Sequence, residues 1–212
     1  MSSSATEVTC KLGLNSGLVA NNFYSIELLI KNKGYALQNN YYQVKFLPVI
    51  TSITSTEGSL AGGAQLSVSG DGFVSSKTLV VLGSSSYQAK TNANITYTAI
   101  NLETITNQAG TYELSVFVNG EQAACINSCN YTFESAYTPK LTSVSPNSLS
   151  DSNTLITITG ENYGNDSSRV HVTIGGENCQ VVTAEQTSIT CTLNRLALGN
   201  QPVVVRVDGR KN

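Results

Sequence analysis

The sequence predicts an all-β chain of tandem two-sheet sandwiches. Three observations carry that prediction. The chain repeats itself at an offset of about 90 residues, its apolar residues alternate with period two, and Asp-Gly and Asn-Gly pairs punctuate the alternation.

Four blocks keep their order across the repeat. Pro48-Val49-Ile50-Thr51-Ser52-Ile53 aligns with Pro139-Lys140-Leu141-Thr142-Ser143-Val144, and Leu66-Ser67-Val68-Ser69-Gly70-Asp71-Gly72-Phe73 with Ile156-Thr157-Ile158-Thr159-Gly160-Glu161-Asn162-Tyr163. Leu79-Val80-Val81-Leu82-Gly83 aligns with His171-Val172-Thr173-Ile174-Gly175, and Leu114 to Gly120 with Val203 to Gly209. Leu66 and Val68, Ile156 and Ile158, and Leu114, Val116 and Val118 each alternate with their neighbours, so one face of each strand points to a core. The pairs Asp71-Gly72, Asn119-Gly120 and Asp208-Gly209 supply the turns. About seven strands in a unit of this length make a sandwich, and no sustained helical period competes.

The flanks are partial copies. Tyr24 to Lys31 reads like the late strand at Tyr112 to Val118, and Tyr41 to Phe46 like the closing strand at Asn130-Tyr131-Thr132-Phe133. The expected organisation is residues 1–46 as the C-terminal half of a unit, 47–136 as a complete unit, and 137–212 as a unit lacking its last strand. A half-unit leaves strand edges and an apolar face to be covered by another segment.

Composition narrows the functions. Of 212 residues 12% are charged, the net charge is −2, and the twelve Lys and Arg are scattered, which disfavours a polyanion such as nucleic acid as partner. With 40% hydrophobic residues the chain can bury a core, and no apolar run is long enough for a membrane-spanning helix. Met1-Ser2-Ser3-Ser4-Ala5 has neither the basic nor the apolar region of a signal peptide. Three glycosylation triplets, at Asn94, Asn130 and Asn165, together with five cysteines, nevertheless suit the secretory route. The expectation is an internal piece of a longer secreted or cell-surface protein.

The motifs resemble the IPT/TIG family, immunoglobulin-like folds shared by plexins and Rel-type transcription factors. The residues that carry the resemblance are the opening Pro-x-(Ile/Leu)-Thr-Ser-(Ile/Val), Leu60-Ala61-Gly62-Gly63, Ser69 to Phe73 with its counterpart Thr159 to Tyr163, and Val172 to Cys179 followed by Ser188-Ile189-Thr190-Cys191. Where the middle unit has its Gly pair the last has Ser152-Asn153, which reads as turn tolerance. Cys125-Ile126-Asn127-Ser128-Cys129-Asn130-Tyr131-Thr132-Phe133 followed by Thr138-Pro139 is most similar to the fibrocystin group, its fibrocystin-L branch in particular. That resemblance implies tandem immunoglobulin-like (IPT/TIG, E-set) sandwiches in the ectodomain of a single-pass surface protein. It also implies a coat on hair-cell stereocilia and expression on immune cells. Rel-type units act in the nucleus on DNA, which paired cysteines, glycosylation triplets and the lack of a basic stripe oppose.

With the family in view the cysteines are structural. Cys179 and Cys191 would close a loop of about a dozen residues, for roughly 3 kcal/mol. Cys125 and Cys129 would brace a turn between two late strands, and Cys10 matches Cys191 with its partner outside the sequence. Tyr87 and Tyr97 are read as the middle unit's replacements for Cys179 and Cys191, a cystine lost as a pair. Zinc on Cys125-x-x-x-Cys129 would need further ligands, and the single histidine, His171, is distant. Catalysis is not expected. His171 sits within an alternating strand, Gly83-Ser84-Ser85-Ser86 lacks the nucleophile elbow, and no phosphate-binding loop occurs. Asp71, Asp151, Asp166 and Asp208 fall at turns without the alternate-position series of a calcium loop. No cofactor and no metal site is expected.

Two functions fit. One is a structural spacer and adhesion element, whose stiff joints Phe46-Leu47-Pro48 and Ser135-Ala136-Tyr137-Thr138-Pro139 exploit proline. The other is recognition of a partner through loops, a sheet edge or tyrosines such as Tyr41-Tyr42. The expected partners are neighbouring units of the same chain, with self-association or an extracellular protein next, and the expected location is the outer side of the plasma membrane.

Overall fold

The structure, a computed structural model, describes residues 2–3, 7–10, 18–37, 42–88, 93–149, 154–194 and 199–211. The N-terminal segment carries β1 (Ser2–Ser3), β2 (Val8–Thr9), β3 (Phe23–Ser25), β4 (Leu29–Ile30), β5 (Gly34–Tyr35) and β6 (Gln43–Lys45), which form three two-stranded antiparallel sheets, β1-β2, β3-β6 and β4-β5. Ile26, Leu28 and Ile30, aligned with the buried Leu114, Val116 and Val118, stay exposed here.

The middle unit holds β7 (Val49–Thr54), β8 (Glu57–Gly58), β9 (Gln65–Asp71), β10 (Thr78–Leu82), β11 (Ser85–Gln88), β12 (Ala93–Ile95), β13 (Ala99–Glu103), β14 (Gly110–Val118), β15 (Glu121–Gln122), β16 (Ala124–Cys125) and β17 (Asn130–Phe133). One layer runs β11-β10-β14-β17-β8 with β15 on β14, and the other β12-β13-β9-β7-β16. The segments outnumber the seven strands expected because short pairings are added to them, β15 on β14, β16 on β7 and β8 on β17. Ile50, Leu66, Val68, Ile100 and Leu102 from one layer meet Val80, Leu82, Leu114, Val116, Tyr131 and Phe133 from the other in a single core. Leu66, Val68, Leu114 and Val116 come from the faces that alternation assigned inward.

The last unit holds β18 (Lys140–Ser145), β19 (Leu155–Glu161), β20 (Val170–Ile174), β21 (Glu177–Glu185), β22 (Ser188–Leu193), β23 (Val203–Val207) and β24 (Arg210–Lys211). Its order is β18-β19-β22-β21-β20-β23-β24. β21 pairs with β20 over residues 177–179 and with β22 over 179–185, so it bridges the strands on its two sides and both pair with it at Cys179. The middle unit divides that task between β11, on β10, and β12, on β13. Both units shift register at the same place, between Ile50 and Ser52 and between Leu141 and Ser143, a bulge that twists the first strand. The hairpins β14-β15 and β23-β24 turn through Asn119-Gly120 and Asp208-Gly209, all four with positive φ as a type I′ turn requires. β17 and β16, which close the middle unit on β14, β8 and β7, have no counterpart among the described residues of the last.

Candidate functional site: cystines, acceptor asparagines and unit joints

Cys179 lies where β21 pairs with both neighbours, opposite Val172 of β20 and Leu193 of β22, and Cys191 lies on β22 opposite Val181. Their disulfide, with Cα atoms 5.5 Å apart, therefore runs diagonally between the adjacent strands β21 and β22 inside the core, and both residues are buried. The short cystine Cys125–Cys129 is different. It spans the chain between β16 and β17, with Cys129 buried and Cys125 half-buried. Cys10 is exposed and in no disulfide.

The register corrects one sequence expectation. Cys179 faces Val172 across the ladder and Tyr87 faces Val80, so Tyr87 does replace Cys179. Cys191, however, faces Ile156, and the residue facing the aligned Leu66 is Leu102, not Tyr97. The carbonyl of Tyr97 instead accepts from Phe73 N–H, as that of Gln186 does from Tyr163 N–H. The two units differ in length between these strands, so alignment by cysteine spacing slipped. Tyr87 is fully buried and its hydroxyl accepts from Ile105 N–H at 3.1 Å. Burial pushes its pKa up.

The three acceptor asparagines are exposed. Asn94 is on β12, at the edge of its layer, and Asn130 begins β17. Asn165 precedes a 3₁₀ turn, and its Oδ1 accepts from Gln186 N–H at 3.0 Å, which fixes the amide.

The remaining candidates disperse. His171 is exposed on β20 opposite Arg206. Ser84 is in the β10-β11 turn, its hydroxyl donating to Asn107 Oδ1, while Asn107 Nδ2 donates to Leu82 O. Asp71 accepts from Gly72 N–H. Asp166 caps the 3₁₀ turn, and the Ser168 hydroxyl, followed by the Ser168 N–H, holds its carboxyl below the ordinary carboxylate range. Asp208 takes a two-pronged ion pair from Arg169, both contacts 2.6 Å. That pair holds the proton on Arg169 more firmly, chiefly through the hydrogen bond. Asp151 and Tyr41 lie outside the described residues, as do Ser152 and Asn153. Among the described residues no cluster of three His, Cys, Asp or Glu could hold a metal ion.

The sequence did not reveal the contacts between units. Asn21 Nδ2 donates to Asn119 O at 3.0 Å, and Lys45 pairs with Glu121 at 2.6 Å. Between the middle and last units, Glu103 pairs with Arg206 at 3.4 Å, and Asn162 Nδ2 donates to Ser135 O and Thr138 O at 3.1 and 2.9 Å. The one sequence signal was that Asn162 departs from the Gly72 it aligns with.

Comparison with known proteins agrees with this architecture. The IPT/TIG domain profile matches residues 48–133 and 139–212. Human fibrocystin-L is 26% identical over 98% of this chain, and mouse fibrocystin-L 32% identical over 74% of it. The chain spans only 5% and 4% of those two relatives. Among solved structures, the plexin A4 extracellular region, domains 1 to 10, superposes over 91% of this chain and 17% of its own, with a TM-score of 0.50 at 17% identity, a likeness of fold. The chain belongs to the IPT/TIG domain family.

Proposed function

We propose that the chain is a non-enzymatic stretch of the ectodomain of a large, receptor-like surface protein, and that it acts as a structural spacer and adhesion element in a surface coat. The observation that carries this reading is the set of direct polar contacts between successive units across short linkers, Lys45–Glu121, Glu103–Arg206 and Asn162 to the 135–138 carbonyls. Units so joined transmit reach, which freely hinged units do not. Two cystines support an oxidising, extracellular location. The likeness to fibrocystin-L extends the proposal to a membrane anchor elsewhere in the protein and to a stereocilia coat. Asn94, Asn130 and Asn165 are proposed glycan carriers, each an exposed asparagine in an acceptor triplet; replacing any one by Gln is expected to remove one glycan's mass from the secreted chain.

A second reading, recognition of a partner or another copy, is favoured by the exposed aromatic residues Phe23, Tyr35 and Tyr42 of the N-terminal segment. Bead aggregation with the glycosylated chain secreted from animal cells, in calcium and in chelator, separates the two. A spacer held in the coat by its neighbouring units, and not by binding its own copies, leaves the beads dispersed. Clustering in both conditions would replace the spacer with homophilic recognition, and clustering lost on chelation would add a calcium site.

A further inference from the structure

Each unit meets the one before it through the same two turns. In the middle unit these are the turn at Gly72 and the hairpin turn at Asn119-Gly120, and in the last unit Asn162 and Asp208-Gly209. At the first joint Phe46 lies against Gly72, and a Cβ there would come within 2.7 Å of its ring and 3.3 Å of Pro48 Cα. Asn119 O receives Asn21 Nδ2 beside it. At the second joint Gly209 lies against Gly63, where an added Cβ would be 3.0 Å from Gly63 O.

The two joints differ in the linker, and the residue at the Gly72 position differs with it. Only Leu47 separates Phe46 from Pro48, and the ring fills the space above Gly72. Residues 134–138 separate Phe133 from Pro139 and wind into the 3₁₀ turn Ser135–Tyr137. Asn162, at φ +63°, spends both amide hydrogens on that linker, one on Ser135 O and one on Thr138 O. Thr138 holds the other side, since its hydroxyl accepts from Leu60 N–H of the middle unit at 2.9 Å and donates to Glu134 O at 2.9 Å. The linker is thus bonded to the unit before it through Thr138 and to the unit after it through Asn162.

We propose that this two-turn face is the docking surface each unit offers to the preceding unit, and that Asn162 is the positioning residue that latches the linker and fixes the angle between the middle and last units. The proposal deepens the spacer reading, and its test reads the joint alone, independently of adhesion. Residual dipolar couplings of the full chain report whether residues 48–133 and 139–211 share one alignment tensor. One shared tensor is expected for the unaltered chain. Asn162→Gly installs the residue of the middle unit and keeps the positive φ without strain, so it removes only the latch. It is expected to lose the shared tensor, while amide shifts within the strands of both units stay in place. Asn162→Asp, which keeps the size of the side chain but cannot donate from a carboxylate, is expected to do the same and serves if the glycine variant folds poorly. Glu103→Gln, which removes the half-exposed ion pair and leaves the latch, is expected to keep one tensor. Separate tensors in the unaltered chain, or a shared tensor surviving in either Asn162 variant, or one lost in Glu103→Gln alone, would overturn the proposal.

Discussion

Tyr87 and Cys179 hold the same place in successive units, each opposite a buried valine, Val80 and Val172, on the neighbouring strand. The last unit uses that place to bind β21 covalently to Cys191 on the adjacent strand β22. The middle unit fills it with a buried ring, and the ring's hydroxyl takes the Ile105 N–H just past the end of β13 in the opposite layer. The same place thus carries a covalent bond to the neighbouring strand in one unit, and a buried ring with a hydrogen bond to the opposite layer in the other.

Replacing Cys179 and Cys191 together by alanine is expected to destabilise the last unit by about 3 kcal/mol, the chain-entropy value for a closed loop of this length. Replacing Cys125 and Cys129 is expected to cost about 2 kcal/mol, in the middle unit, since the loop is shorter. Calorimetry of the whole chain checks both, because each pair should move only one of two transitions. A shift of both by the same amount would mean that the units melt together.

Tyr87→Phe keeps the ring and removes the acceptor of Ile105 N–H. The expected cost is about 1–2 kcal/mol, from a backbone donor left unsatisfied at a partly buried site. Tyr163→Phe should be close to neutral at pH 7. Its hydroxyl donates to Thr159 O only at 3.5 Å, and the aligned residue of the middle unit is already Phe73. Urea melts of the two variants make the comparison.

The same hydroxyl is expected to matter in alkali. Burial pushes the Tyr163 pKa from 10.0 up to about 12, so the folded unit favours the neutral phenol. The unfolded chain ionises first. Its contribution is therefore fully present below pH 10 and is lost as the pH climbs from 10 to 12. Tyr87 is shifted in the same direction, so the middle unit should weaken as well. Tyr163→Phe should flatten the alkaline fall of the last unit and leave that of the middle unit unchanged. Urea midpoints across that range, followed for each unit, would show it; an equal fall in both units of the variant would refute the assignment.

The sandwiches were legible because a pleat forces alternation, and Leu66, Val68, Leu114, Val116, Ile156 and Ile158 all keep to it. The turns were legible because Asn119-Gly120 and Asp208-Gly209 tolerate the positive φ that a two-residue hairpin demands. Ladder register was less legible. β11 and β12 stand in place of the single strand β21, and cysteine spacing alone paired Cys191 with Tyr97 where the register gives Leu102. The proline-bearing linkers at Pro48 and Pro139 were legible, but the contacts across the joints were not. Glu103 and Arg206, or Asn162 and Ser135, are surface polar residues with no periodic signature, and only folding brings them together.

Gly70 and Gly160 mark a constraint common to both units. Neither has a positive φ, so space and not conformation requires them. A Cβ on Gly70 would strike Val49 O and the Phe73 ring, and one on Gly160 would strike Lys140 O and the Tyr163 ring. In each unit an aromatic ring beyond the strand folds back over the glycine, while the first strand's carbonyl closes the other side. Gly160→Ala is therefore expected to cost about 3 kcal/mol, at the upper end for an overpacked site. Gly176→Ala, where φ is +86° but nothing lies within 4 Å, should cost only about 1 kcal/mol, from backbone strain. Adding Tyr163→Phe to Gly160→Ala should recover little. It withdraws the hydroxyl from the clash, but the ring and the Lys140 carbonyl remain, and the carbonyl belongs to backbone paired between β18 and β19. Thermal melts of the three variants decide it. Full recovery in the double variant would place the whole conflict on the tyrosine hydroxyl and remove the first strand from the argument.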